Sequence, residues 1–362
     1  MLDPSTSRRS ALSVASLVFI SCAVIRRADL GRDPKCAIEN RGDLVSRVLF
    51  NGKRRGELNV KFGFFEAPLL QSATGTLLFS DHWDVCGTTW VEGLCEPTIA
   101  PTLLLAHDLK SGRTVEIVSD RDAGSPSNFC GLAVDPSSAG EMVAADSLGQ
   151  RIARLVPTGA GHDKPAYRVE TIADSFDGKR LDAPDDVAVR TDGIIYFSDL
   201  WFDGYGTARH EPRQNRPGLY SIRLDGRVVA EDLEGAAING VALSPDETRL
   251  YVTCTYAGRV DVYDVAADGA LSSRRVAADD SSFFGYPDGI TVRPDGVLFI
   301  GTNQNWVAVW DPKTGAKTRL RTPLETISVA FDTANTSRLF VSCSQGVVEL
   351  SAAVAVASQQ CA

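Results

Sequence analysis

One pattern recurs six times along this chain and constrains its fold more than any other feature. It is a pair of strand-like runs of alternating apolar residues joined by a tight turn. The copies run from Pro68 to Asp81, Gly131 to Asp146, Asp186 to Asp199, Gly240 to Cys254, Gly289 to Thr302 and Ser328 to Cys343. Every turn is rich in Asp, Gly, Pro, Ser or Asn, the residues that tight hairpins need. A third alternating run follows most copies, starting at Leu103, Gly218, Arg259 and Trp306, and a short fourth follows several, as from Arg113. Four antiparallel strands in about 40–65 residues are the content of one propeller blade. No strong amphipathic helical segment separates the strands, which argues against an α/β fold. The expectation is an all-β, six-bladed β-propeller. The last copy lacks a convincing fourth strand, so the segment from Leu44 to Leu58 is expected to supply it, pairing the N- and C-terminal segments to close the ring.

The start of the chain reads differently. Arg8 and Arg9 precede an apolar run from Ala11 to Ile25, as in an export signal, and the arginine pair resembles a twin-arginine leader. Cys22 lies in a faint lipoprotein-like box. The organisation expected is a signal over residues 1–27, a linker over 28–43 and the propeller over 44–362. The destination is extracytoplasmic, with membrane contact only through an N-terminal anchor. Export places the eight cysteines in an oxidising compartment. Cys86 and Cys95 could staple one loop, and a Cys36–Cys361 disulfide would lock the ring closure. The net charge of −9 and the absence of a long Lys/Arg run argue against a nucleic-acid partner. A monomer acting on a small molecule is expected.

The six copies also align a set of side chains. The residues just before the first strand of each are Glu66, Cys130, Asp185, Asn239, Asp288 and Ile327. In a propeller that strand lines the central channel, so these positions converge at one mouth. Singly, each has a plain turn reading; Asp288-Gly289 and Asn239-Gly240 are common turn pairs. Four oxygen-bearing residues in register point instead to a divalent cation, which would offset the repulsion and desolvation of crowded carboxylates. Oxygen donors with an amide among them suit Ca²⁺ best, with Zn²⁺, Mn²⁺ or Mg²⁺ as alternatives.

The same residues carry a family resemblance. Phe65-Glu66-Ala67-Pro68, Ala183-Pro184-Asp185-Asp186, Ile238-Asn239-Gly240-Val241 and Tyr286-Pro287-Asp288-Gly289 resemble the senescence-marker-protein/gluconolactonase/luciferin-regenerating-enzyme-like family, chiefly its gluconolactonase branch. The resemblance implies a metal set of Glu66, Asp185, Asn239 and Asp288, with Asp185 where the family usually has Asn. It implies hydrolysis of a lactone such as gluconolactone, with the metal polarising the carbonyl and a carboxylate, Asp288 first and Asp185 second, activating water. Asn128, Cys130 and His82 fall on the substrate side. There is no GxSxG elbow to support a serine hydrolase. A non-catalytic ligand-binding propeller and an arylesterase or phosphotriesterase on the same metal site remain open alternatives.

Overall fold

The computed structural model describes residues 45–51, 63–83, 103–118, 127–138, 140–159, 167–200, 217–234, 238–344 and 346–351. The leader, the linker, Cys36, Cys361 and the Cys86–Cys95 loop lie outside these residues. Among the described residues, no helix is long and apolar enough to cross a membrane.

Six antiparallel four-stranded sheets account for nearly all the regular structure. Blade one is Gly63–Gln71, Thr76–Trp83, Leu103–Asp108 and Thr114–Val118. Blade two is Phe129–Val134, Met142–Asp146, Arg151–Pro157 and Tyr167–Ala173. Blade three is Pro184–Val189, Ile195–Asp199, Gly218–Ile222 and Val228–Asp232. Blade four is Ile238–Leu243, Arg249–Cys254, Arg259–Val265 and Leu271–Asp279. Blade five is Ile290–Val292, Leu298–Ile300, Trp306–Trp310 and Lys317–Arg321. Blade six begins with Thr326–Phe331, Arg338–Cys343 and Gly346–Ser351. Its outermost strand is Val45–Asn51, which pairs with Gly346–Ser351 from Val45↔Ser351 to Asn51↔Gly346. The expected closure from the N-terminal side is therefore observed, within the segment expected to supply it.

The innermost strand of each blade touches that of the next, and blade six returns to blade one, so the ring closes. Alternation in each strand sends successive side chains to opposite faces. Phe197 accordingly packs toward blade two with Val143 and Ile152, while its neighbour Tyr196 packs toward blade four with Val241 and Leu250. Phe299 and Leu298 divide in the same way between blades six and four. The result is one hydrophobic cluster at each of the six blade interfaces. This explains why the repeats can be plain in sequence: each blade must be apolar on both faces, and the next blade covers what it leaves bare.

Candidate metal centre

Register breaks near the start of the innermost strand in five blades. The irregularities fall between Glu66 and Leu69, Phe129 and Gly131, Pro184 and Val187, Ile238 and Val241, and Thr326 and Ser328. A bulge leaves one residue outside the ladder and re-aims its side chain. Cys130, Asp185, Asn239 and Ile327 lie within these breaks, and Glu66 is the last paired residue before its own, opposite Ser80; in blade five Asp288 stands just before Gly289 and Ile290. The six aligned positions thus all lie near the start of an inner strand.

Neighbouring inner strands approach closely at this level. A Cβ on Gly131 would stand 2.7 Å from the Asp186 Cα, and one on Gly240 would stand 2.4 Å from the Asp288 carbonyl oxygen. Glycine at these points lets blades two and three, and blades four and five, press together where the aligned side chains converge.

Glu66, Cys130 and Asp185 form the tightest group: their potential ligand atoms all lie within 4.8 Å of one another. Asp288 stands on blade five, across the ring from blade two. Its carboxylate accepts hydrogen bonds from Asn303 Nδ2 at 2.9 Å and from the Asn239 side chain. Asn303 also donates to the Tyr286 carbonyl. It holds a left-handed backbone, φ 53°, a conformation that Asn tolerates better than most residues.

The electrostatics follow from burial. Glu66 and Asp185 are both pushed well above the usual carboxylate range, first by desolvation and then by like charges that include Asp288. Burial lifts Asp288 itself to about 6, opposed by the hydrogen bonds from Asn303 and Asn239. Burial also pushes the Cys130 thiol up, reinforced by Glu66 and Asp185. Among the described residues, burial and neighbouring carboxylates dominate Glu66 and Asp185. Such a cluster must either hold protons or take a cation. Glu66, Asp185, Asn239 and Asp288, all oxygen donors, therefore fit a divalent metal.

A framework of residues not singled out from sequence carries these groups. Asp199 accepts the backbone N–H groups of Asp182 and Ala183, the latter at 2.7 Å, and pins the loop that leads into Asp185. Burial lifts Asp199 to about 7. Asp146 does the same in blade two, accepting from the Asn128 N–H at 2.8 Å. Asp186 accepts from the N–H of Val187 and, across the blade boundary, from that of Val241 at 2.9 Å; burial takes it to about 7. The Thr253 hydroxyl accepts the Gly240 N–H and donates to the Asp288 carbonyl, both at 2.7 Å. One hydroxyl thereby couples the strand starts of Asn239 and Asp288. A sequence signal for part of this set exists: an aspartate ends the second strand of blades two and three, at Asp146 and Asp199.

The structure brings Glu66, Asp185 and Cys130 together, and Asn239 with Asp288. Asn128 is buried immediately before the blade-two strand, its carbonyl accepting from the Ser147 N–H at 2.8 Å. His82 pairs with Phe64 in the blade-one sheet. His107 is buried, with Nδ1 2.8 Å from the Thr114 hydroxyl, which gives it a structural place.

Comparison with known proteins agrees with this architecture. A gluconolactonase from Zymomonas mobilis is 25% identical over 315 residues, covering 81% of this chain and 82% of its own. The crystal structure of a gluconolactonase from Xanthomonas campestris superposes with a TM-score of 0.64 at 23% identity, covering 86% of this chain and 90% of that one. A regucalcin from Agrobacterium tumefaciens, described as a calcium-binding protein, superposes with a TM-score of 0.59 at 17% identity, covering 85% and 93%. At these identities the two structures establish the fold alone. The model of the SMP-30/Gluconolactonase/LRE-like region matches residues 99–345, and the chain belongs to that family.

Proposed function

We propose that this chain is a hydrolase of the lactonase type, opening a lactone or related ester at a divalent cation held by Glu66, Asp185, Asn239 and Asp288. The observation that carries the reading is a cluster of three carboxylates, Glu66 buried and Asp185 and Asp288 half-buried, in which desolvation raises all three and like charge raises Glu66 and Asp185 further. The gluconolactonase from Zymomonas mobilis, aligned over most of both chains, supports the reaction class. The calcium-binding regucalcin neighbour supports a metal on this fold.

When bound, the cation supplies Lewis-acid polarisation of the ester carbonyl and stabilises the charge that develops on its oxygen. Asp288 is the group placed to take a proton from water. Asn303 and Asn239 hold its carboxylate, which fixes the orientation of the base. As the water oxygen bonds to the carbonyl carbon, its proton passes to Asp288. As the ring C–O bond breaks, Asp288 returns that proton to the leaving oxygen. Asp185, pinned through its loop by Asp199, is the second candidate for the carboxylate that activates water. Asn128 and His82 stand on the proposed substrate side. Residues 1–27 direct the protein out of the cytoplasm in this reading, on the strength of Arg8-Arg9 and the apolar run that follows.

The test is turnover of a substrate panel by metal-stripped protein, before and after a divalent cation is restored. The panel contains gluconolactone, other sugar and aliphatic lactones, an aryl ester and a phosphotriester. Lactone hydrolysis that appears only with the cation supports the proposal. Cleavage of the aryl ester or phosphotriester alone would move the assignment to those substrates. A cation bound without any turnover would make this a binding propeller.

A further inference from the structure

We propose that Cys130 is itself a ligand of the metal, and that its sulfur turns this site from a calcium site into one that prefers Zn²⁺. The proposal rests on the reading that a metal binds at the channel mouth, and it concerns what the blade-two residue does there.

Three observations converge on it. First, Cys130 occupies the position in blade two that Glu66, Asp185, Asn239 and Asp288 occupy in their blades, and a register break falls there as it does at Glu66 and Asp185. The backbone therefore aims the thiol where it aims the carboxylates. Second, the sulfur shares the compact group with Glu66 and Asp185, in which no two ligand atoms are more than 4.8 Å apart. Around a tetrahedral zinc ion two oxygens stand about 3.4 Å apart and a sulfur and an oxygen about 3.6 Å, from the usual bond lengths. The group would therefore have to close by up to about 1 Å to form a single coordination sphere. Glu66 and Asp185 are also the charged groups that act most strongly on the thiol. Third, the strand bearing Cys130 is fixed in place. Gly131 packs so closely on Asp186 that a Cβ there would stand 2.7 Å from its Cα, and Asp146 holds the chain just upstream through the Asn128 N–H.

The chemistry sets the preference. A site of carboxylate and amide oxygens alone takes a hard cation. One thiolate among them shifts the preference toward borderline and soft ions, because thiolate–Zn²⁺ and thiolate–Cd²⁺ bonds are strong whereas thiolate–Ca²⁺ bonds are not. As the sulfur–metal bond forms, the thiol proton passes to solvent.

Metal-stripped, fully reduced protein is titrated with Co²⁺ and Cd²⁺ as spectroscopic probes, and with Zn²⁺ and Ca²⁺ by calorimetry, beside Cys130→Ser and Cys130→Ala. Circular dichroism confirms that each variant is folded. The wild type is expected to develop a sulfur-to-metal charge-transfer band with one equivalent of Co²⁺ or Cd²⁺, and to bind Zn²⁺ more tightly than Ca²⁺. Both variants are expected to lose the band although every other cysteine is retained. They should bind Zn²⁺ at least about ten- to hundredfold more weakly, the loss typical of removing even an outer partner of a ligand. Ca²⁺ affinity should be unchanged or improved in the serine variant. Binding of these metals with no band in the wild type, or a band and a Zn²⁺ affinity that survive both substitutions, would overturn the role of Cys130 and leave the metal site standing. Failure of every ion to bind wild-type protein would overturn the metal site as well.

Discussion

Replacing Asp288 with Asn removes one charge from the buried cluster while preserving the side chain's shape, and its effect on stability should change sign with pH and metal. Burial lifts the Asp288 pKa from 3.8 to about 6. At about 1.4 kcal/mol per pKa unit, the ionised carboxylate costs the metal-free fold about 3 kcal/mol relative to its neutral form once the pH exceeds both values. Asparagine stands in for the neutral form. Because the folded pKa is the raised one, the stabilisation from a protonated Asp288 is fully present below the unfolded value and is lost as pH rises through about 6. Metal-stripped Asp288→Asn is therefore expected to be about 3 kcal/mol more stable than metal-stripped wild type at a pH of about 8, with no difference below a pH of about 4. In a chain of this size that corresponds to a melting temperature about 5 °C higher. Excess divalent cation should reverse the order. A ligand at a hundred times its Kd adds about 2.7 kcal/mol to wild type, whereas the variant, short of one carboxylate, gains much less. Thermal melts of both proteins, across this pH range and with or without the cation, decide the matter. A variant less stable than wild type in the metal-free state at high pH, or a cation that stabilises both equally, would refute the reasoning.

Three further outcomes follow from the framework around the cluster. Asn303→Ala removes the donor on the Asp288 carboxylate and places alanine at φ 53°; chemical denaturation should report a loss of about 1–3 kcal/mol, and calorimetry a weaker metal. Gly240→Ala puts a Cβ 2.4 Å from the Asp288 carbonyl oxygen, forcing blades four and five apart, for about 1–3 kcal/mol of stability and a measurable loss of metal affinity. Deleting Val45–Asn51 strips the outer strand from blade six and bares the edge of Gly346–Ser351, so size-exclusion chromatography with light scattering should show aggregation or edge-paired dimers in place of a compact monomer.

Much of this molecule was legible in the sequence because a propeller repeats. Six hairpins reveal six blades, and the incomplete sixth copy called for a strand from the other end, which Val45–Asn51 supplies. The same repetition placed Glu66, Asp185, Asn239 and Asp288 at equivalent positions, since one register step before each strand meant one place at the channel mouth. What escaped was set through space between blades. Nothing near Thr253 in sequence says that its hydroxyl reaches the carbonyl of Asp288 on the next blade, nor that Asp186 accepts from Val241. Asn303 is a loop residue until its left-handed backbone aims it at a carboxylate. Cys130 was legible in position but not in company: in a ring of oxygens it reads as an interruption, and only the three-dimensional arrangement sets it against Glu66 and Asp185.

The most direct test of the central claim is a paired titration. Divalent cation is added stepwise to metal-stripped protein while bound ion and lactone hydrolysis are measured in the same samples, for wild type and for Glu66→Gln. The account predicts that hydrolysis is absent at the start, rises in proportion to bound ion, and saturates at one ion per chain, and that the variant binds the ion weakly and turns over little. Full hydrolysis by metal-free protein, or undiminished binding and turnover in Glu66→Gln, would contradict it.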